Sequence, residues 1–190
     1  MKTLLTFFVL LFSSSVVAED ISDFQIDGMS VGDSLLDYFS EKEITSADQT
    51  NYPKSKKYFE VWFTSINNLY SEFSISLKEG DNNYIIYGVR GVKNFKNNFK
   101  ECKTFKKNAT KEIKLLFPNI LERNYEFVYE DVDDGKSIAY ITDFELSKGS
   151  VRTYCQNWSS VTEEARGWFD EGRIGISTNE YLDWLVVNGY

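Results

Sequence analysis

The chain has 190 residues, 42% hydrophobic and 16% aromatic, a composition that excludes intrinsic disorder and supplies a core for about one domain. Its 29 acidic residues against 21 basic ones give a net charge of −8, which argues against nucleic acid as a general partner. It contains no histidine, which closes histidine-activated nucleophiles and the usual zinc sites.

The opening MKTLLTFFVLLFSSSVVAED joins Lys2 to an apolar run, Leu4 to Phe12, and a small-residue exit at Val16-Val17-Ala18. This pattern predicts a signal peptide over 1–18, cleaved after Ala18, and a single α+β domain over 19–190. The apolar run is too short for a bilayer, which needs ~20 residues, and no later segment is apolar enough. The mature protein is therefore expected to be soluble, not membrane-spanning, and periplasmic or secreted.

Ser30 precedes Val31, Leu35, Leu36 and Phe39 at helical spacing, with Asp33 in the capping-box position, so a first helix is predicted over 30–39. The polar stretch ITSADQTNYPKSKK, 44–57, reads as a loop. FEVWFTSI follows. Phe73, Ile75 and Leu77 then alternate with Ser74 and Ser76, and Gly80-Asp81-Asn82-Asn83 turns the chain into YIIYGVRGV, which predicts a three-stranded meander. Within NFKNNFKECKTFKKNATKEIKLLFP, the residues Phe95, Phe99, Cys102, Ala109, Ile113 and Leu116 form one helical stripe that Pro118 closes. Strand signals resume in YEFVYEDV, SIAYITDFEL and SVRTYC, parted by turns at Asp133-Asp134-Gly135 and Lys148-Gly149. GISTNEYLDWL, 175–185, can be laid over GMSVGDSLLDYF, with Ser177 as helix cap. The expected fold is α+β, mainly antiparallel sheet with the long Lys-rich helix packed on one face, and the layout suggests a duplicated αβββ unit.

Two cysteines in an exported chain suggest one disulfide. Cys102 on the helix stripe and Cys155 at a strand end can meet across the helix–sheet interface. Closing so long a loop stabilises by ~4 kcal/mol in the chain-entropy account.

Gly32-Asp33-Ser34-Leu35 matches the tetrapeptide of a large esterase and lipase family. Here FQIDGMSV before it is too polar for the buried strand those enzymes use. There is no histidine and no Ser-x-x-Lys, so Ser34 lacks a base and is expected to serve helix-start chemistry. No phosphate loop or dinucleotide fingerprint occurs, and EDVDDG, 130–135, lacks calcium-loop spacing. No cofactor, no metal and no catalytic residue is expected. Carboxylate chemistry of the glycoside-hydrolase kind stays open, although nothing singles out a pair among the acids. Lys93, Lys96, Lys100, Lys103, Lys106, Lys107, Lys111 and Lys114 outnumber Glu101 and Glu112 on the predicted helix. They offer a basic face to an anionic envelope component or a second copy, with Lys103, Lys106 and Lys107 as candidate anion-binding residues. Trp62, Trp158, Trp168 and Trp184 are either a sugar platform or core. Asn108-Ala-Thr110 and Asn157-Trp-Ser159 match the glycan-acceptor triplet.

GMSVGDSLLDYF, with the YIIYG and DWL stretches, resembles small exported bacterial proteins of unknown role. The resemblance implies export and a single α+β domain, and no activity. The Gly-Met-Ser start is also similar to that of small envelope lipoproteins serving assembly machines, but the lipid-bearing cysteine is missing. The expected function is an exported, non-catalytic binding or accessory protein of the cell envelope with an unknown envelope or extracellular partner; the alternative is a carboxylate-dependent hydrolase acting on glycans.

Overall fold

The computed structural model describes residues 20–65, 69–96 and 98–188, so the expected signal peptide lies outside the described residues. In chain order the elements are α1 (Glu41–Ser46), β1 (Asp48–Asn51), β2 (Tyr58–Thr64), β3 (Glu72–Lys78), β4 (Gly88–Asn94), α2 (Phe99–Leu116), β5 (Leu121–Val128), β6 (Ile138–Leu146), β7 (Gly149–Asn157), α3 (Ser160–Arg166), β8 (Glu171–Thr178) and α4 (Asn179–Asn188). All eight strands join one antiparallel sheet in the order β1-β2-β3-β4-β8-β7-β6-β5. Two four-stranded meanders thus meet at β4 and β8, and α2 carries the chain from the centre of the sheet to its far edge.

Strand alternation gives the sheet two unlike faces. On one, Val61, Phe73, Ile75, Leu77, Val89, Val151, Ile174 and Ile176 are buried in a single cluster with Ala109, Ile113 and Phe117 from the α2 region. The N-terminal segment adds Ile21, Phe24, Ile26, Met29, Val31 and Leu35 to the same core. Each fully buried Ile, Leu or Phe contributes about 1.5–3 kcal/mol. Asn98 caps α2 by accepting from the Glu101 N–H, and Phe117 ends it just before Pro118. The helix lies across β7 and β8, where Cys102 and Cys155 form the disulfide with Cα atoms 5.6 Å apart. The opposite face is polar and aromatic, and α4 packs there against β7 and β8.

Several expectations need correction. The stretch 30–39 forms no α-helix and holds a three-residue 3-10 turn, Leu35–Asp37. Gly32 sits at φ +92°, and the N–H groups of Gly32 and Leu35 donate to the carbonyls of Ile86 and Tyr84. Backbone that bonds sideways to a neighbouring segment is not available for helical bonds. The apolar spacing was real, since Val31 and Leu35 are buried; its periodicity was not helical. The stretch read as a loop, 44–57, holds the end of α1 and all of β1, so the first meander has four strands. Residues Phe95 and Lys96 precede α2, which begins at Phe99. The last strand, β8, takes in Ser177, and the capping role passes to Thr178, whose hydroxyl accepts from the Tyr181 N–H at 3.3 Å.

Gly149 marks a close approach. A methyl group there would collide with Ile21 and with the Ser177 carbonyl. Since backbone cannot swing aside as a side chain can, Gly149→Ala should cost about 1–3 kcal/mol in a urea melt. A loss below a few tenths would show that the N-terminal segment is not seated as described.

Candidate functional site

The pairing register lays out the polar face as rows across the sheet. One row runs Trp62, Ser74, Arg90, Gly175, Arg152, Asp143. The next runs Glu72, Val92, Arg173, Tyr154, Ile141, and a third Asn94, Glu171, Gln156, Ala139. Charged and amide side chains therefore project together from the four central strands.

Above them is a cleft of about 760 Å³. Glu72, Asn94, Gln156, Glu171 and Arg173 form its floor; Trp62 and Thr50 stand on one side, and Tyr129, Trp158, Trp168 and Phe169 on the other. The Trp62 indole N–H donates to Thr50 Oγ1 at 3.1 Å, which sets the ring's tilt. The facing rings are packed in series: Tyr129 to Trp158 at 5.2 Å between centroids, Trp158 to Trp168 at 4.5 Å. Arg166 lies 4.9 Å over the Trp168 ring.

The segment carrying these tryptophans is tied down at several points. Buried Asp170 accepts from the Trp158 N–H at 3.0 Å, and burial raises its carboxyl above the ordinary aspartate value while that bond works the other way. Ser159 caps α3 and donates to Asp134 Oδ1 at 2.6 Å, and Arg166 grips Asp133 through two bonds of 2.8 and 3.2 Å. The acidic run 130–135 thus anchors the aromatic segment. Among the described residues no group of three or more His, Cys, Asp or Glu side chains could hold a metal ion.

The floor has unspent hydrogen-bonding capacity. Gln156 is 2% exposed, and its Nε2 lies near the Tyr129 hydroxyl without making a hydrogen bond of good geometry, while the Nε of Arg173 is buried and unpartnered. Glu171 and Arg173 form a close ion pair whose Glu171 oxygen lacks hydrogen-bond geometry. A buried donor left empty costs about 1–3 kcal/mol, so a hydrogen-bond partner brought to these atoms would be favoured. Burial, with Glu171 adding to it, raises the Glu72 carboxyl above the usual glutamate value, while Arg173 opposes. Burial pushes the Tyr129 hydroxyl up to about 12, with Tyr154 adding and Arg173 and Gln156 opposing.

A second, smaller pocket of about 210 Å³ opens beside the cleft and shares Tyr129 and Arg173 with it. Behind it the Glu60 carboxylate accepts from Arg90 at 3.2 Å, Tyr52 at 2.9 Å and Tyr181 at 3.2 Å. Burial pushes Glu60 up, but Arg90 and the two tyrosines together hold it below the usual glutamate range. Tyr58, Tyr181 and Trp184 back this network as a buried aromatic cluster.

Of the four tryptophans, the structure brings Trp62, Trp158 and Trp168 together and assigns Trp184 to the core. Of the three lysines, Lys103 lies 4.7 Å over the Phe99 ring and Lys107 is exposed, while half-buried Lys106 donates to Thr142 and is held below the usual lysine value by burial. Ser34 caps its 3-10 turn, and its hydroxyl donates to the Asn83 carbonyl at 2.7 Å. A hydroxyl bound to a carbonyl gains no nucleophilicity, since a carbonyl cannot take its proton. Sequence reasoning missed Glu72, Gln156, Glu171 and Arg173; the signal it offered was period-two alternation through EGRIGIS and TYCQN.

No protein-family model, curated protein or solved structure matches the chain.

Proposed function

We propose that the protein is an exported, soluble, non-catalytic binding protein of the cell envelope or the medium, and that its ligand is a saccharide held in the aromatic-walled cleft. The observation that carries this reading is Trp62 standing opposite Trp158 and Trp168 over a floor that bears unpaired buried donors. A sugar ring offers apolar C–H faces to aromatic walls and a rim of hydroxyls to planar polar groups such as Gln156, Asn94 and Arg173. Export is supported by the disulfide, which suits an oxidising compartment. Among the described residues no helix is long and apolar enough to cross a membrane. The mirrored strand order of the two meanders supports an origin by duplication. Exposed Lys103 and Lys107 leave α2 a second surface for an anionic partner.

Titration of the mature protein with maltotriose, cellotriose and chitotriose, followed by tryptophan fluorescence, tests the reading. Saturable binding of at least one is expected. Trp158→Ala should weaken it about 30-fold, the ~2 kcal/mol of an aromatic hot spot. No saturable change with any of the three, or unchanged affinity in Trp158→Ala, would overturn it.

A second reading has one specific support, the raised carboxyl of Glu72 beside Glu171. In a glycan hydrolase Glu72 would be the acid and Glu171 the carboxylate partner. The grip of Arg173 on Glu171 favours binding, because it spends that carboxylate on an ion pair. Reducing-sugar release that Glu72→Gln abolishes would reverse the preference.

A further inference from the structure

We infer that the smaller pocket is an oxyanion site, and that the saccharide in the adjoining cleft is an acidic one whose carboxylate or phosphate it receives. The inference rests on the saccharide reading for the sugar and on the pocket alone for the anion. Arg90, Arg152 and Arg173 line the pocket, and none of its lining residues is an acid. Their counter-charges lie outside the lining: Glu60 with Arg90, Asp143 with Arg152, Glu171 with Arg173.

The register explains why the three guanidiniums converge. Arg90 on β4 and Arg152 on β7 both sit opposite Gly175 of β8. Two strand spacings put their Cα atoms ~10 Å apart, and the residue between them has no side chain to fill the gap. Arg173 enters from two residues along the same strand. Leu182 and Leu185 of α4 add an apolar edge, and Tyr154, Ser150 and Ser177 add hydroxyls.

Each guanidinium has donors left over. An arginine carries five N–H groups in a planar fork. Glu60 takes Nη2 of Arg90, and Asp143 takes Nε and Nη2 of Arg152 at 2.6 and 2.8 Å. The Nε of Arg173 is unpartnered but itself sealed from solvent, so it meets an anion only if the side chain shifts. The three side chains are 26%, 45% and 21% exposed, so an entering anion can reach them. Convergent forks of this kind suit the planar oxygens of a carboxylate or the oxygens of a phosphate. Glu60, Asp143 and Glu171 each pair one of these arginines and Glu72 borders the cleft, so what the lining offers an anion is the spare N–H donors of three guanidiniums and not an excess of positive charge.

Calorimetric titration of the wild-type protein with glucuronate, inorganic phosphate and glucose, and then with trigalacturonate beside the neutral trisaccharides, tests the inference. Glucuronate or phosphate should bind with a Kd of about a millimolar or tighter and weaken with salt. Glucuronate alone would identify a carboxylate ligand, phosphate alone a phosphorylated one. Arg152→Gln, at the most exposed of the three arginines, should lower that affinity at least about tenfold with the urea midpoint measured alongside, while Lys148→Gln, whose ammonium pairs Asp20 outside the pocket lining, should not. Trigalacturonate or a phosphorylated sugar should bind at least about tenfold tighter than its neutral counterpart. Absence of anion binding, or anion binding indifferent to Arg152→Gln, would overturn the pocket. Neutral trisaccharides binding as well as charged ones would overturn the acidic ligand and leave the cleft intact. Phosphate held through Arg152 with no sugar bound would overturn the cleft and leave the pocket intact.

Discussion

Arg90→Met is expected to destabilise the protein by about 3–5 kcal/mol at neutral pH, because it leaves Glu60 charged and buried without its cation. Glu60 is 5% exposed, and among the described residues the side chains bonded to it besides Arg90 are the Tyr52 and Tyr181 hydroxyls. The pH dependence gives the result a signature. In the wild-type protein the Glu60 carboxyl is held below its unfolded value of 4.5, so its contribution is present above that value and fades as pH falls through the folded one. In Arg90→Met the largest influence opposing burial is gone, so the folded value is expected to rise from its wild-type position. Protonation then relieves the variant as pH falls, so the gap between wild type and variant should be widest near pH 7 and narrow toward pH 4. Urea melts at several pH values check this. A gap that is constant, or that widens in acid, would show that Arg90 stabilises by packing and not by charge.

The second large effect concerns the disulfide. Replacing Cys102 and Cys155 together by serine should cost about 2–5 kcal/mol, read as a lower urea midpoint. The bridge also lies behind the cleft. Cys155 pairs with Gly172 in the register, and their neighbours Gln156 and Glu171 pair on the opposite face as part of the cleft floor. Phe105 and Phe95 press on Gly172 from the α2 side, where a Cβ would meet Phe105 at 2.5 Å. Loss of the bridge should therefore weaken ligand binding as well as stability. A double variant within 1 kcal/mol of wild type would mean that packing around Cys102 holds α2 unaided.

Much of this architecture was legible because it is local. Phe73, Ile75 and Leu77 alternate cleanly and lie in β3. Cys102, Ala109 and Ile113 share the buried side of α2, which also puts Cys102 within reach of Cys155. The errors have a common cause in bonds between distant segments. Leu35 and Gly32 bond to Tyr84 and Ile86, so the apolar spacing of 30–39 serves a strapped segment. In β8 only Ile174 and Ile176 face the core, and two glycines interrupt the strand where Phe105 and Arg90 approach it. The short helix α3 carries a capping serine at Ser159 and a left-handed glycine at Gly167, signals present in the sequence but confined to seven residues. The cleft was least legible, since Glu72, Gln156 and Arg173 come from strands far apart in sequence and look like ordinary surface residues until the register aligns them. Three of its walls were visible only as tryptophans without a partner. The lysine helix drew attention through composition, but Lys106 is spent on Thr142.

The most direct test uses the four indole N–H resonances of the 15N-labelled protein while the three neutral trisaccharides and trigalacturonate are added in turn. Signals of Trp62, Trp158 and Trp168 should shift together and saturate with at least one sugar, while Trp184, sealed in the aromatic cluster, stays in place. Four indoles indifferent to every sugar, or a response led by Trp184, would contradict a binding face built on the polar side of this sheet.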